Sequence, residues 1–242
     1  SNQYWKGIKI YGNSDLPSSL FHHVSISNTT SLNKNGWSMN AGFFAHKVNL
    51  TMTDVLIENN NCEDAINIVN SKFTIRDISI ENAISDAIDS DFSNGTIIGG
   101  SFSDIGHIGG GDALDFSGSQ VLLEDLLVTN INDKGLSVGE KSVVKAKGLI
   151  ISNLSVAIAV KDGSSLDISD SEINNAELVA IMAYTKKPTF GGGNILAKNI
   201  EITNTKNKLK SGLNSTIIID NKLTKKEKIN VEELYETVMQ SG

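Results

Sequence analysis

Asp89, Asp91 and Asp115 fall where alternating strands would turn them outward, and Asp86 and Asp112 stand just ahead of them. Carboxylates on neighbouring strands about 4.8 Å apart, with another about 7 Å along one strand, repel one another. A bound cation, a shared proton or nearby lysines can offset that repulsion. Hard oxygen donors on a rigid sheet suit Ca²⁺, with Asp89, Asp91 and Asp115 as the expected ligands. A shared proton would raise one carboxyl pKa and suit acid–base work. Lys134 and Lys161 are placed to neutralise part of the cluster. Asp also forms turns and ends ladders in solvent, a reading that suits Asp86 and Asp112 best.

Other reactive side chains flank this strip. His107 sits in the run Gly106-His107-Ile108-Gly109-Gly110-Gly111, a glycine-rich bulge before Asp112 that could offer a proton-transfer group or be a plain loop. Phe44 and His46 lie to one side of the acids, Met182 and Tyr184 to the other. Aromatic rings beside a polar strip suit stacking on sugars, so Phe44, His46, Lys134, Tyr184 and Lys186 are expected to contact substrate. His22 and His23 lie on an early strand and pack or face solvent.

The elements that must position these groups repeat. Gly7, Gly42, Ala65, Ala87, Ala113, Gly135, Ala157 and Ala180 each open an alternating phrase, at steps of 35, 23, 22, 26, 22, 22 and 23 residues. A second register runs through Asn28, Asn59, Asn82, Asp104, Asn130, Asn153, Asn175 and Asn204. Strand periodicity repeated about every 22 residues marks a β-solenoid, in which stacked coils bury what one coil cannot. Asn suits a left-handed corner, and its amide can bond its counterpart one coil away. The chain therefore reads as an all-β solenoid of about eight to nine coils over residues 1–223, with a ninth strand near Thr216–Asp220. Residues 224–242 form a basic segment and a short helix near 231–240: Asn230 and Glu233 make a capping box, and Val231, Leu234, Tyr235 and Val238 share one side. Its expected role is to cap the solenoid's end, the alternative being a linker to a further domain of a longer chain.

Charge bounds the partners. The net charge is −7, with 22 acidic against 11 basic groups in residues 1–185 and 6 against 10 in residues 186–242. An acidic body argues against nucleic acid, which needs a basic face. No apolar run is long enough to span a membrane. Cys62 is the lone cysteine, so no intrachain disulfide forms, and it reads as a small packed residue.

The phrases Ala65-Ile66-Asn67-Ile68, Asp86-Ala87-Ile88-Asp89, Asp112-Ala113-Leu114-Asp115 and Lys161-Asp162-Gly163-Ser164 resemble the right-handed parallel β-helices of the pectate-lyase-like superfamily. That group includes polysaccharide lyases, uronan epimerases, inverting polysaccharide hydrolases, tailspikes and adhesins, so fold alone does not choose among them. The resemblance implies an extracellular or cell-surface protein acting on a polysaccharide, with an acidic glycan expected. In the lyase or epimerase form, Ca²⁺ on Asp89, Asp91 and Asp115 would neutralise a uronate, Lys161 would take the C5 proton, and Tyr184 or His107 would return one. The chain departs from the lyases in having one arginine, Arg76, on another strand of its coil, and from the inverting hydrolases in lacking their basic pair. A non-catalytic surface module and an inverting hydrolase using Asp89 and Asp91 are the alternatives.

Overall fold

Three left-handed corners per coil bend this chain into a solenoid. The expected Asn register is one of them: Asn28, Asn59, Asn82, Asp104, Asn130, Asn153, Asn175 and Asn204 all have φ between 50° and 58°. A second corner runs through His23, Asp54, Asp77, Gly99, Asp125, Gly148, Asp170 and Asn199, and a third includes Lys47, Asn70, Phe92, Gly118 and Asp162. Asn, Asp and Gly tolerate this conformation best, which is why they recur there. The corners cut each coil into three short strands. The result is an all-β solenoid of about eight turns with one short C-terminal helix. This computed structural model describes residues 3–13, 17–34, 36–108 and 110–237.

Every pairing between coils is parallel, and the register follows the repeat. Ile8 pairs with Phe43, Phe43 with Ile66, Ile66 with Ile88, Ile88 with Leu114, Leu114 with Leu136, Leu136 with Ile158 and Ile158 with Ile181. From Phe43 to Ile181 these side chains are fully buried and form one row of the core. The strand Thr216–Ile219 extends the stack beside Asn194–Thr203.

Two ladders tie the corners. Amide bonds run from Asn153 to Asn130 (3.2 Å) and from Asn175 to Asn153 (3.0 Å), as the second register implies. Buried serines make the other ladder: the backbone N–H groups of Ser71, Ser93, Ser119 and Ser142 donate to the hydroxyls of Ser93, Ser119, Ser142 and Ser164 at 3.0–3.1 Å. Each bond satisfies a buried N–H where the sheet pattern breaks at a corner.

The irregular steps have separate causes. The step of 35 residues holds an extra hairpin, Leu32–Lys34 against Trp37–Met39. The step of 26 holds the glycine turn, where backbone meets backbone: a Cβ on Gly111 would stand 2.6 Å from the Ser85 carbonyl carbon. Gly109 lies outside the described residues.

The helix forms at Val231–Thr237, and the Asn230 side chain caps it: Glu233 N–H donates to Asn230 Oδ1 (3.4 Å), and Glu233 Oε2 accepts from the Asn230 side-chain amide (3.1 Å). The expected continuation to residue 240, with Val238, lies outside the described residues. Its place differs from an end cap. Val231, Leu234 and Tyr235 pack on Val156, Ala159, Val179, Met182 and Tyr184, on the outer side of the sheet that carries the aspartates. The apolar stripe Val156, Ala159, Val179 and Met182 explains this, because a helix with an apolar side lands where the sheet offers one.

Candidate functional site

The outward column on that sheet is Phe44, Asn67, Asp89, Asp115, Ser137, Ala159 and Met182, each paired in register with the next. Beside it run His46, Val69, Asp91 and Ser117. The structure thus brings Asp89, Asp91 and Asp115 together, with Asp64 and Asp86 along one edge, in a groove of about 470 Å³. The extra hairpin supplies one wall through Ser38 and Met39.

Hydrogen bonds order the acids. Asn67 Nδ2 donates to Asp64 Oδ2 and Asp89 Oδ2, both at 2.8 Å, and Asp112 N–H donates to Asp86 Oδ1 at 2.8 Å. Asp115 Oδ1 is buried and has no hydrogen-bond partner among the described residues. Burial, then the charges of Asp64, Asp91 and Asp115, pushes the Asp89 carboxyl up to about 10. Burial likewise raises Asp64 to about 7, against the opposing bond from Asn67. Asp91 is raised by burial and then by Asp115, and Asp86 by burial and then by Asp112. Each of these shifts favours the protonated carboxyl, the form that relieves like charge.

The donor set for Ca²⁺ is of the right chemistry, but its oxygens do not converge. Among the described residues, the one trio of His, Cys, Asp or Glu ligand atoms lying within 4.8 Å of one another is elsewhere, at His22, His23 and Asp54.

Lys134, Lys161 and Tyr184, expected in contact with substrate or as proton carriers, sit beneath the C-terminal helix. All three are buried. Lys134 Nζ pairs with Asp112 at 3.0 Å and Asp133 at 2.6 Å. Burial disfavours its charge, but the two carboxylates outweigh burial and raise its pKa. Asp133 is pushed up to about 6 by burial and then by Asp112, since two acids share one ammonium. Lys161 Nζ donates to Ser137 Oγ at 2.9 Å, and although burial opposes its charge, Asp115 raises its pKa. The Tyr184 hydroxyl meets that of Tyr235 at 2.5 Å. Met182, expected to flank a sugar, is buried under the same helix.

Lys186 is half-buried, its ammonium 4.4 Å from the centre of the Tyr235 ring. Burial, then Lys161 and Lys134, lowers its pKa. The turn that carries it is held by fully buried Asp162, whose Oδ1 accepts from the N–H groups of Lys186 (2.7 Å) and Lys187 (2.6 Å). His107 is exposed and borders a different groove, along the Asn ladder with Asp104, Asn130 and Asn153. The structure therefore does not bring it to the aspartates.

Phe44 and His46 do flank the acids, joined by Tyr11, whose ring centre is 5.5 Å from that of Phe44 and 6.1 Å from that of His46. Sequence reasoning missed Tyr11, although it opens the His46 column. It missed Asp64 as a groove carboxyl and Asp133 as the second partner of Lys134. The long step from Gly7 to Gly42 was the available signal for the hairpin wall.

The sequence matches no protein-family model and no curated protein. Two solved structures are similar to the chain in fold, both of the catalytic domain of a GH87 alpha-1,3-glucanase variant in complex with nigerose. Each is 12% identical over 89% of this chain, with TM-scores of 0.44 and 0.38. This chain spans 62% of the length of those solved chains. No helix of the described residues is long and apolar enough to cross a membrane.

Proposed function

We propose that the groove binds a polysaccharide chain outside the cell and hydrolyses it with inversion. The observation that carries this reading is the placement of Asp89 and Asp91 on one strand of the groove, with burial and then the neighbouring carboxylates raising the Asp89 pKa. Two residues of strand separate their carboxyls by roughly 7 Å, inside the spacing that leaves room for an attacking water. Asp89 supplies the proton to the departing glycosidic oxygen, and Asp91 takes the proton of the water. Asp115 lines the same groove beside them, its Oδ1 buried and without a hydrogen-bond partner among the described residues. Tyr11 and Phe44 offer ring faces to an adjoining sugar.

A lysine-driven removal of a uronate C5 proton fits this geometry less well. The bases expected for it, Lys161 and Lys134, are buried under the helix and engaged with Ser137, Asp112 and Asp133. Hydrolysis by Asp89 and Asp91 needs no metal ion, and among the described residues the ligand oxygens of Asp89, Asp91 and Asp115 do not all lie within 4.8 Å of one another. A groove lined by carboxyls also favours a neutral sugar chain over an acidic one.

One observation favours a second reading, binding without turnover: Asn67 Nδ2 donates to one carboxyl oxygen of each of Asp64 and Asp89. A panel of neutral glucans and of uronate polymers separates the two, with reducing ends and the anomeric form of the product followed by NMR. Hydrolysis predicts inverted product and a loss of about 10²–10⁴-fold in rate for Asp89→Asn. Binding with no product from any glycan supports the second reading, and no binding at all overturns both.

A further inference from the structure

We propose that His22, His23 and Asp54 form a binding site for a divalent transition-metal ion of the zinc class, separate from the acidic groove. Consecutive residues of a strand normally point to opposite sides. Here the alternation breaks, and both histidines of Ser19–Ser27 are exposed. The cause is the corner: His23 has φ 53°, so the chain bends between the two rings and leaves their centres 4.9 Å apart.

The same corner brings the carboxylate. His22 pairs with Thr53 and Val24 with Val55, which sets His23 level with Asp54 on the next coil. His23 Nδ1 lies 3.2 Å from Asp54 Oδ2. Two ligand atoms each about 2.0–2.1 Å from one tetrahedral zinc stand about 3.3 Å apart, so this pair already has the separation an ion needs. One ligand atom from each of the three residues lies within 4.8 Å of the others, which a rotamer adjustment of His22 closes. Beyond the site the same corner column continues with Asp77, Gly99, Asp125, Gly148, Asp170 and Asn199, and among the described residues no other left-handed corner carries an imidazole.

Two imidazoles and one carboxylate are borderline donors that suit zinc, copper or nickel better than calcium or magnesium. Three protein ligands leave a fourth position for water. His23 and Asp54 side chains are 75% and 46% exposed, so the ion has an open path in.

The test is calorimetric titration of the full chain with Zn²⁺, with Co²⁺ absorption as a second readout. The proposal expects one saturable equivalent and a visible Co²⁺ band. His22→Ala, His23→Ala and Asp54→Asn should each weaken binding by about tenfold or more, while His107→Ala leaves it unchanged. All three ligands are exposed, so circular dichroism and the melting temperature should stay near those of the parent chain. An absence of saturable zinc binding, or equal affinity in the His22→Ala/His23→Ala double variant, overturns the proposal.

Discussion

The hydroxyls of Tyr184 and Tyr235 stand 2.5 Å apart, joining a strand of the acidic sheet to the C-terminal helix. Lys161 pairs in register with Tyr184 and Lys134 with Val156 of the apolar patch the helix covers, and Lys186 stacks on the Tyr235 ring. The helix thus decides which half of the outward strip meets solvent.

Removing the Tyr235 ring should loosen this cover first. Tyr235→Ala removes the hydroxyl contact, the ring packing and the seat of Lys186, at a cost of about 2–4 kcal/mol if the helix stays folded. Hydrogen exchange measured by mass spectrometry should show faster exchange over 229–237 and over 179–184, with the central coils unchanged. Unchanged protection in 179–184 would mean that the helix is not what shields this end of the strip.

Lys134 tests a buried ion cluster. Lys134→Met leaves Asp112 and Asp133 facing each other without a cation, which should destabilise the fold by about 3–5 kcal/mol. Adding Asp112→Asn and Asp133→Asn to the same chain should restore much of that loss, because the uncompensated charge goes with them. Urea unfolding of the three chains reads the outcome. A triple variant no more stable than Lys134→Met contradicts the charge argument.

The repeat made the register of Asn67, Asp89 and Asp115 legible, because a side-chain period of two and a coil step of about 22 leave one way to stack them. The amide ladder was legible for the same reason. Lys161 and Tyr184 shared that register, yet exposure did not follow from it. What covers a strand depends on where a segment outside the repeat lands, and Val231, Leu234 and Tyr235 announce a helix without announcing its seat. The serine ladder was hidden because Ser71, Ser93, Ser119 and Ser142 look like ordinary turn residues until their hydroxyls are seen accepting N–H groups from the neighbouring coil.

The amide ladder itself can be weighed at Asn130, which donates to Asp104 Oδ1 (3.1 Å) and accepts from Asn153 (3.2 Å) with φ at 57°. Asn130→Ala loses both bonds and keeps a Cβ in the left-handed region, for a cost of about 1–3 kcal/mol. Asn130→Gly loses the bonds but not the backbone fit, so it should be the milder change. Equal losses in urea unfolding would show that the side-chain bonds matter and the corner conformation does not.

The groove carboxyls set a pH dependence whose sign runs opposite to that of salt-bridged acids. Asp64 rises to about 7 and Asp89 to about 10 in the folded chain, from an ordinary value of 3.8. Between 3.8 and those values the folded state holds protons that the unfolded state has released, so stability falls as pH rises. The melting temperature should therefore be higher at pH 5 than at pH 8. Asp89→Asn, which is neutral at every pH, should raise the melting temperature at pH 8 and flatten the slope. A slope unchanged by Asp89→Asn would show that Asp89 does not hold its proton.

Asp115 separates relief of like charge from metal binding on the same strip. Its carboxylate stacks on Asp89 in register, and its Oδ1 has no protein partner among the described residues. If protons and not calcium settle the strip, Asp115→Asn trades relief from the neighbouring carboxyls against lost support for buried Lys161, and should shift the melting temperature by the same amount in chelator and in excess calcium. If calcium binds there, the substitution removes a ligand from the folded state alone, so the melting temperature in excess calcium falls relative to that in chelator. The groove geometry predicts the first outcome. A fall in calcium relative to chelator would return Asp89, Asp91 and Asp115 to a calcium site and displace the acid–base assignment of Asp89 and Asp91.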